Sequence, residues 1–260
     1  MPAAIIAAPA LAPWLYPALT ATAVVTGFVD SVAGGGGLLM MPALIYAGIP
    51  TPFLLGTNKV QSACGTAMAS WRYHKAGLFK VRPNLPVVAC VFAGAVAGAM
   101  VIQRFDAHVL NLLVPVLLMM VSLYTLLSPR MHDDDSHGHL SERAYMPLSA
   151  GLGFYDGFFG PGAGQFYATS LVSLRGLGLT RATGLTKLLN VTSNIASILV
   201  FAIGGKVIWS LGLCMALGAM TGNWIGAHTA TRFGAKLIRP LLVVCSLGLT
   251  GRLVWGWFHS

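Results

Sequence analysis

Gly27-Phe28-Val29-Asp30-Ser31-Val32-Ala33-Gly34-Gly35-Gly36-Gly37 is an apolar run that carries a single acid and ends on four consecutive glycines. The same signature returns in the second half of the chain as Gly153-Phe154-Tyr155-Asp156, followed by Gly160-Pro161-Gly162-Ala163-Gly164. Two further matches follow in the same order and at nearly the same offset. Gly56-Thr57-Asn58-Lys59 recurs as Gly184-Leu185-Thr186-Lys187, and Gly94, Gly98-Ala99 and Arg104-Phe105 recur as Gly222, Gly226-Ala227 and Arg232-Phe233. Three ordered matches at nearly one offset are an internal duplication.

The surroundings of these motifs identify the solvent. The chain has 260 residues, of which 56% are hydrophobic and 9% charged, with a mean hydropathy of +0.74. A soluble domain carries about 25% charged residues, so this chain cannot clothe a water-facing surface and reads as a bilayer protein. That excludes a disordered, nucleic-acid-binding or disulfide-built secreted protein. The formal charge of +9 is no nucleic-acid footprint, because the cations stand singly between apolar runs, as in the loops of membrane proteins. Cys64, Cys90, Cys214 and Cys245 lie in apolar stretches without a CxxC and read as small core residues. No metal ligand set, cofactor motif or catalytic nucleophile is visible, so the chain is not expected to be an enzyme.

Apolar segments fall at 11–33, 36–49, 56–71, 84–102, 109–127, 146–159, 162–174, 183–203, 207–230 and 239–258. Several reach the roughly 20 residues that cross about 30 Å of hydrocarbon. The shorter ones, 36–49, 146–159 and 162–174, flank the glycine clusters and read as broken or re-entrant helices. The runs are continuous rather than alternating, which rules against a barrel. The expected fold is an all-α polytopic membrane protein of two inverted repeats, each of about five helical segments, eight to ten segments in total. Residues 1–127 form the first repeat, 128–145 a linker and 146–260 the second repeat.

The charges predict the orientation. With the loop bearing Arg72, Lys75, Lys80 and Arg82 placed in the cytoplasm and sides alternating from there, eleven cations are cytoplasmic and three, Arg104, Lys206 and Arg252, are outside. This obeys the positive-inside rule, inverts the second repeat, places the linker in the cytoplasm and both termini outside. Charge alone leaves open whether each short first pair crosses or folds back.

Three groups of residues could carry function. Backbone amides at Gly34, Gly35, Gly36, Gly37 and at Gly160, Gly162, Gly164 would be costly in lipid unless they line protein or a wet cavity. Each break is followed by a new helix whose N–H groups and positive dipole end could cradle an anion; close helix packing through small residues is the other reading, preferred for Gly94/Gly98 and Gly222/Gly226. Asp30 and Asp156 are the acids deep within spans, and an intramembrane carboxylate needs a partner or a proton. Each could cap nearby glycine amides or serve as a proton-coupling site. On the third segment of each half, Asn58, Ser62 and Thr66, and Thr186, Asn190 and Asn194, recur every four residues and so share one helical face. Lys59 and Gln61 stand beside the first stripe, and Lys187 and Ser193 beside the second. The lysines could snorkel to the interface. Pointing inward, they would join two helix N-termini at a shared site that favours a small anion. The polar linker with His132, His137 and His139 reads as a solvated connector, and Trp14, Trp71, Trp209, Trp255 and Trp257 as interfacial anchors.

Gly27 to Gly37, followed by Pro42-Ala43-Leu44, Gly48-Ile49-Pro50 and Gly56-Thr57-Asn58-Lys59-Val60-Gln61, closely resembles the first half of the TauE/SafE sulfite exporter family. Gly153 to Gly164, Gly184 and Lys187-Leu188-Leu189-Asn190 resemble its second half, so the resemblance covers nearly the whole chain. It implies an inner-membrane secondary transporter of small sulfur-containing anions such as sulfite or organosulfonates, in the export direction. The substrate would be held by the glycine-break helix ends with Asn58, Gln61, Thr186 and Asn190. Lys59 and Lys187 would supply countercharge, and Asp30 or Asp156 the coupling proton. The expected partners are a small anion and the lipid bilayer. An anion channel on the same scaffold, or an uptake permease for another small organic anion, is the alternative. Copy two departs from copy one at Leu185-Thr186 and at Pro161, so the two half-sites are not expected to bind identically.

Overall fold

The computed structural model describes residues 11–127, 135 and 140–234. The tenth segment, Cys245, Trp255, Trp257 and the linker histidines lie outside the described residues. Nine α-helices run in the order α1 (Leu15–Ala33), α2 (Gly36–Tyr46), α3 (Thr51–Lys75), α4 (Leu85–Ile102), α5 (Ala107–Leu127), α6 (Glu142–Phe158), α7 (Ala163–Ser173), α8 (Leu179–Ile203) and α9 (Trp209–Phe233), and no strand occurs among the described residues. The chain is an all-α membrane protein. Leu15–Ala33, Arg82–Ile102 and Leu179–Ile203 are long and apolar enough to cross a bilayer.

The helix ends follow local chemistry. α2 stops at the left-handed Gly48. α3 starts earlier than its apolar run because Pro52 suits a first turn, and it ends on the basic residues Arg72, His74 and Lys75, which favour its C-terminal dipole. α6 starts four residues before the expected 146, because Ser141 caps it by accepting from the Ala144 N–H at 3.3 Å.

Polarity is arranged inside out. On α8, Thr186, Lys187, Asn190, Ser193 and Asn194 are buried, while Ile195, Leu199 and Ile203 on the opposite face are exposed. On α9, Leu213 and Leu217 are likewise exposed. Such faces suit lipid outside and a polar interior.

Small residues set the helix contacts. α4 lies on α6 so closely that a Cβ on Gly94 would meet the Ala150 carbonyl oxygen at 2.1 Å and one on Gly98 the Phe154 oxygen at 2.0 Å; in return Gly153 and Gly157 receive the Val91 and Ala95 carbonyls. α1 and α9 repeat the arrangement, with Gly218, Gly222 and Gly226 against the carbonyls of Thr20, Val24 and Phe28. The fourth helix of each half thus packs on the first helix of the other. The third helices, α3 and α8, meet antiparallel: Gly56 touches Phe201 and Lys206, Asn194 donates to the Thr66 hydroxyl at 3.4 Å, and Gly184 touches Tyr73.

These contacts fix the direction of the two short helix pairs. At one end of the bundle Tyr16 bonds Ser210 at 3.2 Å and the Thr57 hydroxyl accepts from the Ile208 N–H at 3.0 Å, so the start of α1 and the start of α3 lie together. At the other end the Leu140 N–H donates to the Leu174 carbonyl and Tyr145 bonds Ser170, bringing the start of α6 beside the end of α7. α1–α2 and α6–α7 therefore fold back as hairpins that enter from opposite ends.

Candidate functional site

The two hairpin tips meet. Gly34 closes α1 in a left-handed conformation (φ +71°), donating its N–H to the Asp30 carbonyl at 2.8 Å, and Gly160 and Gly162 have φ of +99° and +81°. Gly34 and Gly164 pack backbone to backbone: a Cβ on Gly164 would lie 2.8 Å from the Gly34 oxygen, and one on Gly34 2.8 Å from the Gly164 carbonyl carbon. Gly36 is required for a different reason, since its Cβ would strike the Asp30 side chain at 2.4 Å. Tyr155 donates to the Pro161 carbonyl at 2.6 Å and fixes the second tip.

Beside the tips stand two ion pairs, each joining the halves. Lys59 Nζ lies 2.5 Å from Asp156 Oδ1 and donates to the Asp156 main-chain carbonyl at 2.6 Å. Lys187 Nζ lies 3.1 Å from Asp30 Oδ2 and also donates to the Asp30 main-chain carbonyl. Each ammonium thus sits at the C-terminal end of the other half's broken helix, where the helix dipole is negative. Ser193 donates to the remaining Asp156 oxygen. Both lysines are buried, and the four charges sum to zero, so a lysine can neutralise an added anion only when its carboxylate is protonated or displaced.

A cavity opens next to them. Asp30, Lys59, Asp156, Asn58, Ser62 and Thr66 line it with Asn190 and Asn194 and with the tip residues Gly34, Gly37 and Gly160 to Gly164. Its volume is about 30 Å³, on a scale where one water needs roughly 10–15 Å³. That is room for two or three waters or one small oxyanion. No side chain caps the N-terminus of α2 or α7, so first-turn amides at Gly37 and Gly164 border the cavity as helix N-terminal donors. Asn190 Oδ1 is buried there without a partner. A second, smaller cavity of about 10 Å³ lies toward the start of α8, lined by Thr183, Thr186, Lys187 and Gln165. Gly34 and Gly164 line both cavities and form the partition between them.

Of the residues singled out in the sequence, Gly34, Gly37, Asn58, Lys59, Gly160, Gly162, Gly164, Asn190, Asp30 and Asp156 surround the central cavity. Thr186 and Lys187 face the smaller one. Gly35 and Gly36 line neither, and Gln61 bonds Asn58 and Ser62 at 2.9 and 3.1 Å rather than reaching the cavity. Ser193 joins the site through Asp156. In the sequence it stands beside the polar stripe of this helix, next to Asn194. His228 bonds Arg72 and stacks on Trp224 away from the cavity.

Two hairpins meeting tip to tip beside buried charge pairs, in a bundle that is polar within and apolar without, define a multi-pass membrane protein with paired charges in its interior. The family model described as "Sulfite exporter TauE/SafE" matches residues 19–253, and the chain belongs to that family. It is similar to the "Probable membrane transporter protein YfcA" of Escherichia coli K12, 39% identical over 246 residues, which are 94% of this chain and 91% of the relative. It is 41% identical to the "Probable membrane transporter protein ORF9" of Sinorhizobium sp over 237 residues, 91% of each chain. A "Probable membrane transporter protein" of Haemophilus influenzae is 37% identical over 238 residues, 90% of this chain and 93% of the relative. No solved structure matches the chain.

Proposed function

We propose that this chain is a secondary transporter that carries a small sulfur-containing anion such as sulfite or an organosulfonate out of the cell by alternating access. The observation that carries this reading is the central cavity, where buried Lys59 and the carboxylates Asp30 and Asp156, each paired with a lysine of the other half, meet the N-termini of two broken helices. Amide donors from Gly37 and Gly164 and the side-chain amides of Asn58 and Asn190 supply directed hydrogen bonds to an oxyanion. The space of about 30 Å³ favours sulfite over a longer sulfonate unless the site widens. The halves, residues 1–127 and 146–260, act as inverted repeats that rock about the hairpin tips, in an inner membrane with the linker cytoplasmic and both termini outside. Family membership and the names of the relatives support a transporter; the choice of sulfur anion rests on the family description and the cavity's size and chemistry.

Thermal unfolding of the purified protein against sulfite, sulfate, thiosulfate, taurine, sulfoacetate and simple carboxylates tests the substrate class, because a ligand bound by the folded state raises the melting temperature. Stabilisation by sulfite is expected, and Asn190→Ala should weaken it about tenfold, the worth of one good hydrogen bond. Stabilisation by carboxylates and by none of the sulfur anions would contradict the assignment.

A further inference from the structure

The two ion pairs occupy matching places in the two halves but are built differently. Asp156 is held on both oxygens, by Lys59 at 2.5 Å and by the Ser193 hydroxyl, and the paired side chains are only 3% and 4% exposed. Asp30 has Lys187 at 3.1 Å on one oxygen, and among the described residues no other donor reaches its carboxylate. It is also 18% exposed, against 0% for Lys187, and borders the central cavity. The cause is one residue. Six positions after Lys187 stands Ser193, whereas six positions after Lys59 stands Gly65, which has no hydroxyl to give; there Asn223 of α9 packs so closely that a Cβ on Gly65 would lie 2.4 Å from its amide nitrogen. Lys187, for its part, faces the smaller cavity beyond the Gly34–Gly164 partition, next to the unpartnered hydroxyl of Thr186. The Asp30–Lys187 pair therefore bridges the two cavities, and the Lys59–Asp156 pair does not.

We propose that Asp30 is the carboxylate that takes up the coupling proton, and that Lys59–Asp156 is a fixed tie between the halves; this rests on the anion-transport reading above. A proton arriving through the central cavity adds to the Asp30 carboxylate and dissolves its pair with Lys187. The ammonium keeps its charge, so the interior gains one positive charge, which an anion in the central cavity beside Asp30 balances. Departure of anion and proton restores the original pair, with no bond made or broken beyond the O–H of Asp30. Ser193 is a positioning residue, which holds Asp156 in its paired form. The charged and titratable groups around Asp30 are Lys187 on α8, Lys59 on α3 and Asp156 on α6, with Tyr73 of α3 donating to the neighbouring Ser31 carbonyl at 2.8 Å. On α9, Gly226 touches Ser31, and the nearby His228 is bonded to Arg72.

Infrared difference spectra of the full-length protein, followed through a pH titration, read protonated carboxyl groups directly and need no ligand. A carboxyl band that appears on acidification of the wild type is expected to be lost in Asp30→Asn and kept in Asp156→Asn. Ser193→Ala, which frees one oxygen of Asp156, is expected to add a second band, and it decides the matter if Asp156→Asn does not fold. A band that survives Asp30→Asn overturns the proposal, as does a Ser193→Ala titration identical to that of the wild type. Sulfite added at constant pH should strengthen the band in the wild type and not in Asp30→Asn. A sulfite-insensitive spectrum beside an intact Asp30 titration would count against the anion reading alone.

Discussion

Lys59 and Asp156 illustrate how costly charge becomes once it leaves water. Removing one partner of a buried pair strands the other, at about 3–5 kcal/mol, so Lys59→Ala and Asp156→Ala should each lower the melting temperature in detergent sharply. The double variant Lys59→Met with Asp156→Leu should recover most of that loss, because an apolar pair of similar volume replaces a pair whose desolvation offsets its attraction. A double variant that melts no higher than either single one would show that the pair is not the source of the effect. The four interior charges were legible in the sequence because they recur at repeated positions between apolar runs. Which lysine meets which acid was not, since that depends on how α3 and α8 dock antiparallel, a contact between residues 97 and 157 positions apart. Treated one by one, the lysines looked like free countercharge; as partners of Asp30 and Asp156 they are neutralised until a carboxylate yields.

The helices themselves were largely written in the apolar runs, and nine of the ten expected segments correspond to helices among the described residues. The differences at the ends come from caps and prolines, such as Ser141 and Pro52, which hydropathy does not register. The fold-back of α1–α2 and α6–α7 was not decidable from charge, because a pair that crosses twice and a pair that returns leave every later loop on the same side. It is decided by the meeting of the two tips, Gly34 with Gly164, between opposite ends marked by Tyr16 with Ser210 and Tyr145 with Ser170. At this scale two glycine substitutions should act differently. Gly98→Ala places a Cβ 2.0 Å from the Phe154 oxygen and should destabilise the α4–α6 contact by about 1–3 kcal/mol, read as a lower melting temperature. Gly164→Ala places its Cβ at the hairpin tips, 2.8 Å from the Gly34 oxygen and 3.0 Å from the Asn190 amide nitrogen. It should reduce anion binding at least tenfold, measured by titration of the folded protein with sulfite, and unchanged affinity would argue that the tips do not border the site.

For the whole molecule, the arrangement to be explained is a bundle whose two halves exchange their first and fourth helices, cross their third helices antiparallel and send one broken hairpin each to a common centre. Close packing through glycines on α1–α9 and α4–α6 leaves the tips, with their uncapped helix ends and small cavities, as the proposed place for a substrate between the halves. A carrier of the kind proposed must bind before it moves, whereas a channel need not. The most direct test is the flux of radiolabelled sulfite across proteoliposomes containing the purified protein, with and without unlabelled sulfite on the opposite side. Saturable flux, accelerated by sulfite on the opposite side and lost in Gly164→Ala, is the predicted result; flux that rises without saturation, ignores sulfite on the opposite side or persists in that variant would contradict it.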